Sequence, residues 1–287
     1  MSAQTVIYCV GAAKAGTSWL FDTLYAHPEC YFPTTKELHY WDSLHGGHGD
    51  FFRDQLPGRI AAIRGRYEQN TETHQRAYQE ANMADIQRWH DLFDGTTRDD
   101  GIYRDYMGLC RTDAKVVGDF TPAYASLPVN WMQEMAAVHD DTRAIYILRE
   151  PVDRLWSHLR MDAGAGGEAA ALAKMDDFLA GGEEIVTRRS NYRQTLNRLG
   201  QAFGAGRLHV ELFERLFSNA ALARICDFLG ISRVEAKTDK KVHVSGTAVL
   251  DDDRRARAQD ALRQQYNFIE RFLGGLPEEW TQKMVTA

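Results

Sequence analysis

Short apolar runs alternate with longer amphipathic stretches along most of the chain. The first run covers residues 6–10, and residues 17–26, after a group of small residues, have the apolar periodicity of a helix. Apolar, β-branched runs predict three further strands, at residues 115–120, 143–148 and 207–213, and a short one at 29–32. Strands that alternate with helices are typical of a parallel sheet. We therefore expect an α/β fold with a central, mostly parallel sheet and helices on both faces.

The remaining helices follow from the same periodicity and from turn residues. They are predicted at residues 129–139, 168–179, 184–199, 216–229 and 251–273, with another that begins at Pro151. Residues 45–110 are polar and charge-rich, contain scattered aromatic residues and lack a clear strand. This stretch predicts a mostly helical insertion over the sheet edge, within a single domain of 287 residues.

The loop after the first strand has the composition of an anion-binding turn. Gly11 and Gly16 enclose three alanines and Lys14, and a helix is predicted directly after them. Small side chains let an anion approach the backbone N–H groups and the positive end of the helix dipole. The glycine spacing is P-loop-like, but Thr17 stands where a Walker A motif needs its lysine. The loop predicts a phosphate site for a different donor; the alternative is a tight turn without a ligand.

A second phosphate site is predicted at the end of the strand at 143–148. Arg149 follows this strand, and Ser157 lies about two turns down the next helix. An arginine fork and a hydroxyl in this arrangement can hold a phosphate group. The alternative is an arginine that caps a neighbouring helix or pairs with Asp153.

The properties of the whole chain limit its partners. The net charge of −6 predicts no general affinity for nucleic acid or an anionic membrane. The four cysteines lack C-x-x-C spacing, and His45 and His48 have no obvious third ligand nearby, so we expect no metal site. The first residues contain neither a basic segment nor an apolar run long enough for a signal peptide or membrane span. We expect a cytoplasmic protein without an integral membrane segment.

Four segments give the chain a resemblance to a known family. They are residues 14–20, 36–41, 119–124 and 146–158. The first and last resemble the 5′-phosphosulfate loop and the 3′-phosphate motif of the sulfotransferases that use 3′-phosphoadenosine-5′-phosphosulfate (PAPS). The Lys-Glu-Leu-His-Tyr-Trp and Asp-Phe-Thr-Pro-Ala-Tyr segments are similar to those of the carbohydrate O-sulfotransferase branch. The resemblance extends from residue 6 to about residue 247 and weakens over 45–110.

The resemblance implies PAPS as co-substrate, 3′-phosphoadenosine-5′-phosphate (PAP) as product and no required metal. The residues implied to bind the 5′-phosphosulfate, through backbone amides and the Lys14, Thr17 and Ser18 side chains, are Lys14, Ala15, Gly16, Thr17, Ser18 and Trp19. Arg149 and Ser157 would bind the 3′-phosphate, and Tyr192 would support the nucleotide. The residues that match the family's closing C-terminal loop are Lys240, Lys241, Val242 and His243. That match is loose, because the chain has Lys-Lys-Val where Lys-Gly-Arg is common.

Residue chemistry suggests catalytic roles within this resemblance. Lys14 would stabilise the bridging oxygen as it leaves, and Glu37 would act as general base on the acceptor. Asp119 is the competing base, and its alternative is a turn residue ahead of Thr121 and Pro122. The alternative for Glu37 is a solvent-exposed partner of Lys36. His39 would orient Glu37 or the donor, or it is a packed, hydrogen-bonded histidine of the core.

The expected reaction is in-line transfer of a sulfuryl group to a hydroxyl or amine of a small-molecule, lipid or carbohydrate acceptor. Two alternatives stay open: a P-loop-type small-molecule kinase, and a catalytically silent nucleotide-binding protein. The aromatic residues between 89 and 106 either line an acceptor cleft or pack the helical stretch, and packing is the preferred interpretation.

Overall fold

A computed structural model describes residues 4–47, 49–182, 184–236 and 249–285. In this part of the chain, four strands form one sheet: β1 (Thr5–Cys9), β2 (Val116–Asp119), β3 (Thr142–Leu148) and β4 (Leu208–Leu212). Every neighbouring pair is parallel, in the order β2-β1-β3-β4. The strands β1 and β2 are buried along their whole length, which explains their continuous apolar runs. The predicted parallel sheet within an α/β fold is confirmed.

Helices occupy most of the remaining described chain. Those before β3 are α1 (Thr17–Tyr25), α2 (Tyr40–Gly46), α3 (Gly49–Gln69), α4 (Thr73–Leu92), α5 (Asp100–Met107) and α6 (Val129–Ala136). Those after β3 are α7 (Pro151–Ala163), α8 (Gly167–Leu179), α9 (Glu184–Arg189), α10 (Tyr192–Phe203), α11 (Phe213–Leu216), α12 (Asn219–Leu229), α13 (Asp252–Ala261), α14 (Arg263–Leu273) and α15 (Glu278–Thr281). None of the described helices combines the length and the apolar character needed to cross a membrane.

The structure corrects several predicted elements. The helix predicted over 184–199 is two helices, because the Asn191 side chain accepts a hydrogen bond from the Gln194 N–H and starts α10 anew. Likewise Ser218 caps α12 at its start, so that the helix predicted from residue 216 divides into α11 and α12. The helix predicted over 251–273 breaks at Leu262. The strand predicted at 29–32 is a single bridge between Cys30 and Val116.

The polar stretch of residues 45–110 is helical where the structure describes it, as predicted, and its aromatic residues pack. Tyr40 stacks on Tyr103 with ring centroids 4.1 Å apart, and the Trp89 and Tyr106 rings lie 4.7 Å apart. All four side chains are buried. These rings pack against one another, and Trp89 in addition lines a cavity, so packing and cavity lining are combined in this stretch. The description of the stretch as an insertion stays a prediction.

The strand order determines where a ligand site can form. In a parallel sheet the carboxyl ends of all strands meet at one edge, and a crevice opens where the chain reverses its direction of winding. The chain leaves β1 toward β2 and later returns to the other side of β1 with β3. The loop after β1 and the residue after β3 therefore lie next to each other at this crevice.

Candidate active site

The loop between β1 and α1 leaves the N-terminal end of α1 open to a ligand. Gly16 precedes the helix with a φ of 85°, and as a glycine it has no side chain that could cap the first turn. A Cβ atom on Gly16 would lie 2.8 Å from Leu216 Cδ2, so both the backbone angle and the packing require glycine. Lys14 also has a positive φ, of 70°. The N–H groups of the first turn and the helix dipole make this turn suitable for an anion.

Arg149 joins the two predicted phosphate sites. Its Nη1 donates a hydrogen bond to the Lys14 carbonyl at 2.8 Å, and its guanidinium lies 4.4 Å from the centre of the Phe213 ring. The Arg149 Nε is buried and has no hydrogen-bond partner in the described ranges. Tyr192, predicted to support the nucleotide, donates its hydroxyl proton to the Arg149 carbonyl at 2.7 Å. Three residues far apart in sequence are thus brought together at one strand end.

Helix α7, which begins just after Arg149, contributes a buried positive charge. Ser157 lies on its buried face, and Arg154, one turn earlier, is fully buried. The Arg154 guanidinium donates to the Ser190 hydroxyl and the Val186 carbonyl, and no carboxylate pairs with it in the described part of the chain. Burial and the Arg154 charge lower the pKa of His158 to about 3. An anion held near Ser157 would meet an uncompensated positive field.

A second lysine reinforces the loop after β1. The Lys36 Nζ donates to the Ser18 hydroxyl at 2.7 Å, which ties the segment before α2 to the start of α1. Burial lowers the pKa of Lys36. Burial, followed by the charges of Arg149 and Arg160, lowers the pKa of Lys14. A bound anion would stabilise the charged form of a lysine whose pKa is lowered by burial and by neighbouring cations.

Glu37 and His39 lie beside these lysines. Glu37 is exposed, its N–H donates to the Phe120 carbonyl at 3.2 Å, and its charge counteracts the lowered pKa of Lys14. The His39 Nδ1 lies 2.7 Å from Asp42 Oδ2, and its Nε2 lies 3.8 Å from Glu37 Oε2. The His39 ring stacks on Phe52 at 3.9 Å. Asp42 and Phe52 hold the imidazole so that it faces Glu37.

Asp119, the competing base, has different surroundings. It is only 2 % exposed, and it accepts hydrogen bonds from the hydroxyls of Thr121, Tyr124 and Tyr103 at 2.7, 2.7 and 2.9 Å. Burial raises its pKa. The hydroxyls use its oxygens and the protein covers them, which favours the alternative of a structural residue at the end of β2.

One part of the predicted site receives no structural account. Lys240, Lys241, Val242 and His243 lie outside the described residues. Among the residues that are described, no group of three or more His, Cys, Asp or Glu side chains could hold a metal ion. Sequence reasoning gave no binding role to Lys36 or Arg154. The helical periodicity that places Arg154 on the same face of α7 as Ser157 is a signal that could have identified it.

A sequence model described as the sulfotransferase family matches residues 7–235, a range that includes both phosphate motifs. The chain belongs to the sulfotransferase family. A search of curated proteins finds no significant match.

Solved structures of other sulfotransferases have the same fold. A sulfotransferase from Alicyclobacillus acidocaldarius has a TM-score of 0.62 at 21 % identity, and the match covers 97 % of this chain and 99 % of that one. The sulfotransferase domain of the Synechococcus PCC 7002 olefin synthase has a TM-score of 0.56 at 20 % identity, with 96 % and 98 % covered. At these identities the similarity establishes a common α/β architecture over nearly the full length of each chain.

Proposed function

We propose that this sulfotransferase moves the sulfuryl group of PAPS to a hydroxyl or amine of a small-molecule, lipid or carbohydrate acceptor. One observation carries the proposal. The hydrogen bond from Arg149 to the Lys14 carbonyl joins the uncapped start of α1 to the strand end that precedes Ser157. Two anion sites of different chemistry, one built mainly from backbone N–H groups and one from a guanidinium, suit a donor with two separate phosphate-bearing ends.

The residues present fit such a donor. The buried Nε of Arg149 lacks a protein partner, and the Arg154 guanidinium has no carboxylate partner among the described residues. The residues that would hold the 5′-phosphosulfate are Lys14, Ala15, Gly16, Thr17, Ser18 and Trp19, with Lys36 added by the structure. Arg149 and Ser157 would hold the 3′-phosphate, with Tyr192 fixing the backbone of Arg149. When bound, PAPS supplies an activated sulfuryl group with a phosphate leaving group.

The chain's own residues perform the charge and proton steps. Lys14 and the N–H groups of the turn stabilise negative charge where it develops at the bridging oxygen. Glu37, exposed beside Lys14, accepts the proton of the acceptor hydroxyl or amine. His39 positions the Glu37 carboxylate from 3.8 Å. Asp119 holds the end of β2 through its three hydroxyl donors and takes no proton.

The test is sulfuryl transfer from PAPS to a panel of alcohols, phenols, amines and sugars, followed by mass spectrometry. The wild-type protein is expected to transfer. Lys14→Ala should lower kcat by a factor of about 10² to 10³, the usual effect of removing one donor from a developing negative charge. Among the described residues, the Lys14 Nζ donates one weak hydrogen bond, to Met161 Sδ at 3.5 Å, so the melting temperature should not fall.

The same experiment separates the alternatives. A silent nucleotide-binding protein would bind PAP in calorimetry and transfer to no acceptor. A kinase would bind ATP with magnesium in preference to PAP and would form phosphorylated products. Either result contradicts the proposed function.

A further inference from the structure

A cavity of about 290 Å³ opens beside Glu37. It is lined by residues 36–39, by residues of α3 between 52 and 59, and by Trp89 and Phe93 at the end of α4. A second cavity of about 200 Å³ adjoins it and shares Arg53, Trp89 and Phe93 with it. The first cavity has the size of a small ligand or of one end of a larger one.

The charged side chains around this cavity are mostly positive. They are Lys36, Arg53 and Arg59, against the single carboxylate of Glu37. Arg59 donates to the Lys36 carbonyl at 2.8 Å, and Glu37 counteracts the lowering of the Arg59 pKa by burial. Glu37 therefore lies within electrostatic reach of Lys14 on one side and of Arg59 on the other. It stands between the donor loop and the cavity.

Arg53 is a cation of the cavity wall that has no ion-pair partner among the described residues. It is half-buried, its Nε is buried with no hydrogen-bond partner, and no carboxylate pairs with its guanidinium among the residues described. The aspartates that line the adjoining cavity, Asp91, Asp94 and Asp99, form no ion pair with it. A partly desolvated guanidinium without a counter-ion is unfavourable, and its planar fork matches a carboxylate or phosphate.

Apart from Gln55, the rest of the wall is apolar or aromatic. Phe52, Leu56, Trp89 and Phe93 line the cavity together with Arg53. Such a surface binds a hydrocarbon or aromatic segment, and a few polar groups at fixed places orient it.

We infer that this cavity binds the acceptor, and that the acceptor is an amphipathic anion. Its hydroxyl or amine lies at Glu37, its apolar segment lies against Phe52 and Trp89, and its carboxylate or phosphate pairs with Arg53. The inference rests on the proposed function and narrows its acceptor class. Arg53 is a specificity residue, because it takes no part in donor binding or proton transfer.

The test compares hydroxy acids with their neutral counterparts. The panel consists of ω-hydroxyalkanoates, hydroxyphenylalkanoates and uronic acids, each with its methyl ester, and hydroxyalkyl phosphates beside the parent diols. Arg53→Gln removes the cation, and Arg64→Gln removes an exposed cation from the same helix as a matched control. PAP binding by calorimetry reports an intact donor site in each variant.

The wild-type protein should prefer an acid to its ester by about 10- to 100-fold in kcat/KM, the range expected for a hydrogen-bonded charge pair. Arg53→Gln should abolish this preference by raising KM for the acid, with the ester rate and PAP binding unchanged. Arg64→Gln should keep the preference. A comparison of the carboxylate acceptors with the phosphate acceptors identifies which anion the site binds.

Three results overturn the inference while the proposed function stands: transfer without preference for an acid, an equal loss for acid and ester in Arg53→Gln, or transfer to a member of the wider acceptor panel but to no member of this one. Failure to transfer to any member of either panel, with PAP bound, overturns the proposed function and this inference together.

Discussion

Glu37 and Asp119 carry the same chemical group in opposite surroundings. The Glu37 side chain is 47 % exposed and lies beside two lysines, whereas Asp119 is buried under three hydroxyl donors. A general base must reach the acceptor proton, and of these two carboxylates only that of Glu37 is exposed. At the scale of single residues, accessibility rather than residue type favours Glu37 as the proposed base.

This contrast predicts opposite effects for two isosteric variants. Glu37→Gln should lower kcat by a factor of about 10² to 10⁴ and leave the melting temperature unchanged. Asp119→Asn should destabilise the fold by about 1–3 kcal/mol, because an amide cannot accept all three hydroxyl protons. Urea denaturation and steady-state kinetics on both variants provide the measurements. Full activity in Glu37→Gln would indicate that Asp119 is the general base.

Among the helices, α7 places its buried charges against α9. His158 is 2 % exposed, and its Nε2 lies 3.4 Å from Arg189 Nη1. The charged groups near its ring are Arg154, Arg189, Lys14 and Lys174, all of which lower its pKa, and Asp162, whose carboxylate lies 3.5 Å away. The cations and burial outweigh the one carboxylate, so the folded protein holds His158 neutral.

A pH dependence of stability follows from this pKa. The folded pKa of about 3 lies below the ordinary value of 6.5, so the stabilising contribution is present above pH 6.5 and is lost as the pH falls toward 3. Between pH 6.5 and 5 the loss amounts to about 2 kcal/mol. His158→Gln should therefore lose less stability than the wild type between pH 7 and 5 in urea denaturation. His74→Gln, at an exposed position of α4, is the control and should follow the wild type.

The contact between β1 and β2 leaves no room for a side chain at Gly118. A Cβ on Gly118 would lie 1.9 Å from the Ile7 carbonyl oxygen, so any larger residue must push the two strands apart. Gly118→Ala should destabilise the protein by at least about 1–3 kcal/mol. Gly58→Ala in α3, where nothing lies within 4 Å of the added Cβ, should instead stabilise it by about 0.5–1 kcal/mol. Equal effects of the two substitutions in thermal denaturation would contradict the strand packing.

Over the whole molecule, an acidic chain surrounds a basic crevice. The net charge is −6, yet Lys14, Lys36 and Arg149 converge at the carboxyl ends of β1 and β3. The acidic remainder of the surface disfavours general binding of polyanions, and the crevice concentrates the positive field on one place.

This distribution predicts selective stabilisation by PAP. At 100 times its Kd, PAP should stabilise the protein by about 2.7 kcal/mol without added magnesium, and more strongly than 5′-AMP at equal concentration. Arg149→Ala should reduce the difference between the two nucleotides, because it removes the guanidinium that is assigned to the 3′-phosphate together with Ser157. Arg271→Ala, at an exposed position of α14, should retain the difference. A thermal shift assay measures the wild type and both variants, each with its ligand-free form as the reference. An undiminished difference between PAP and 5′-AMP in Arg149→Ala would refute the assignment of Arg149 to the 3′-phosphate.

Much of the donor site was predictable because its parts are local. A buried strand, a turn of small residues around Lys14 and a helix start all lie within residues 6–20, and the positive φ at Gly16 explains the glycine there. The helix breaks were missed, because the caps at Asn191 and Ser218 interrupt an apolar periodicity that continues across them.

The sequence by itself determined the α/β alternation and the two phosphate motifs, because periodicity and turn chemistry are properties of neighbouring residues. Only the tertiary structure decided which groups meet. Arg149 and Lys14 are 135 positions apart and bond because β3 pairs with β1. Packing alone exposed Glu37, buried Asp119 and left Arg53 beside the cavity without a counter-ion in the part of the chain that the structure describes. Burial and strand order arise from contacts between distant segments, which no local pattern encodes.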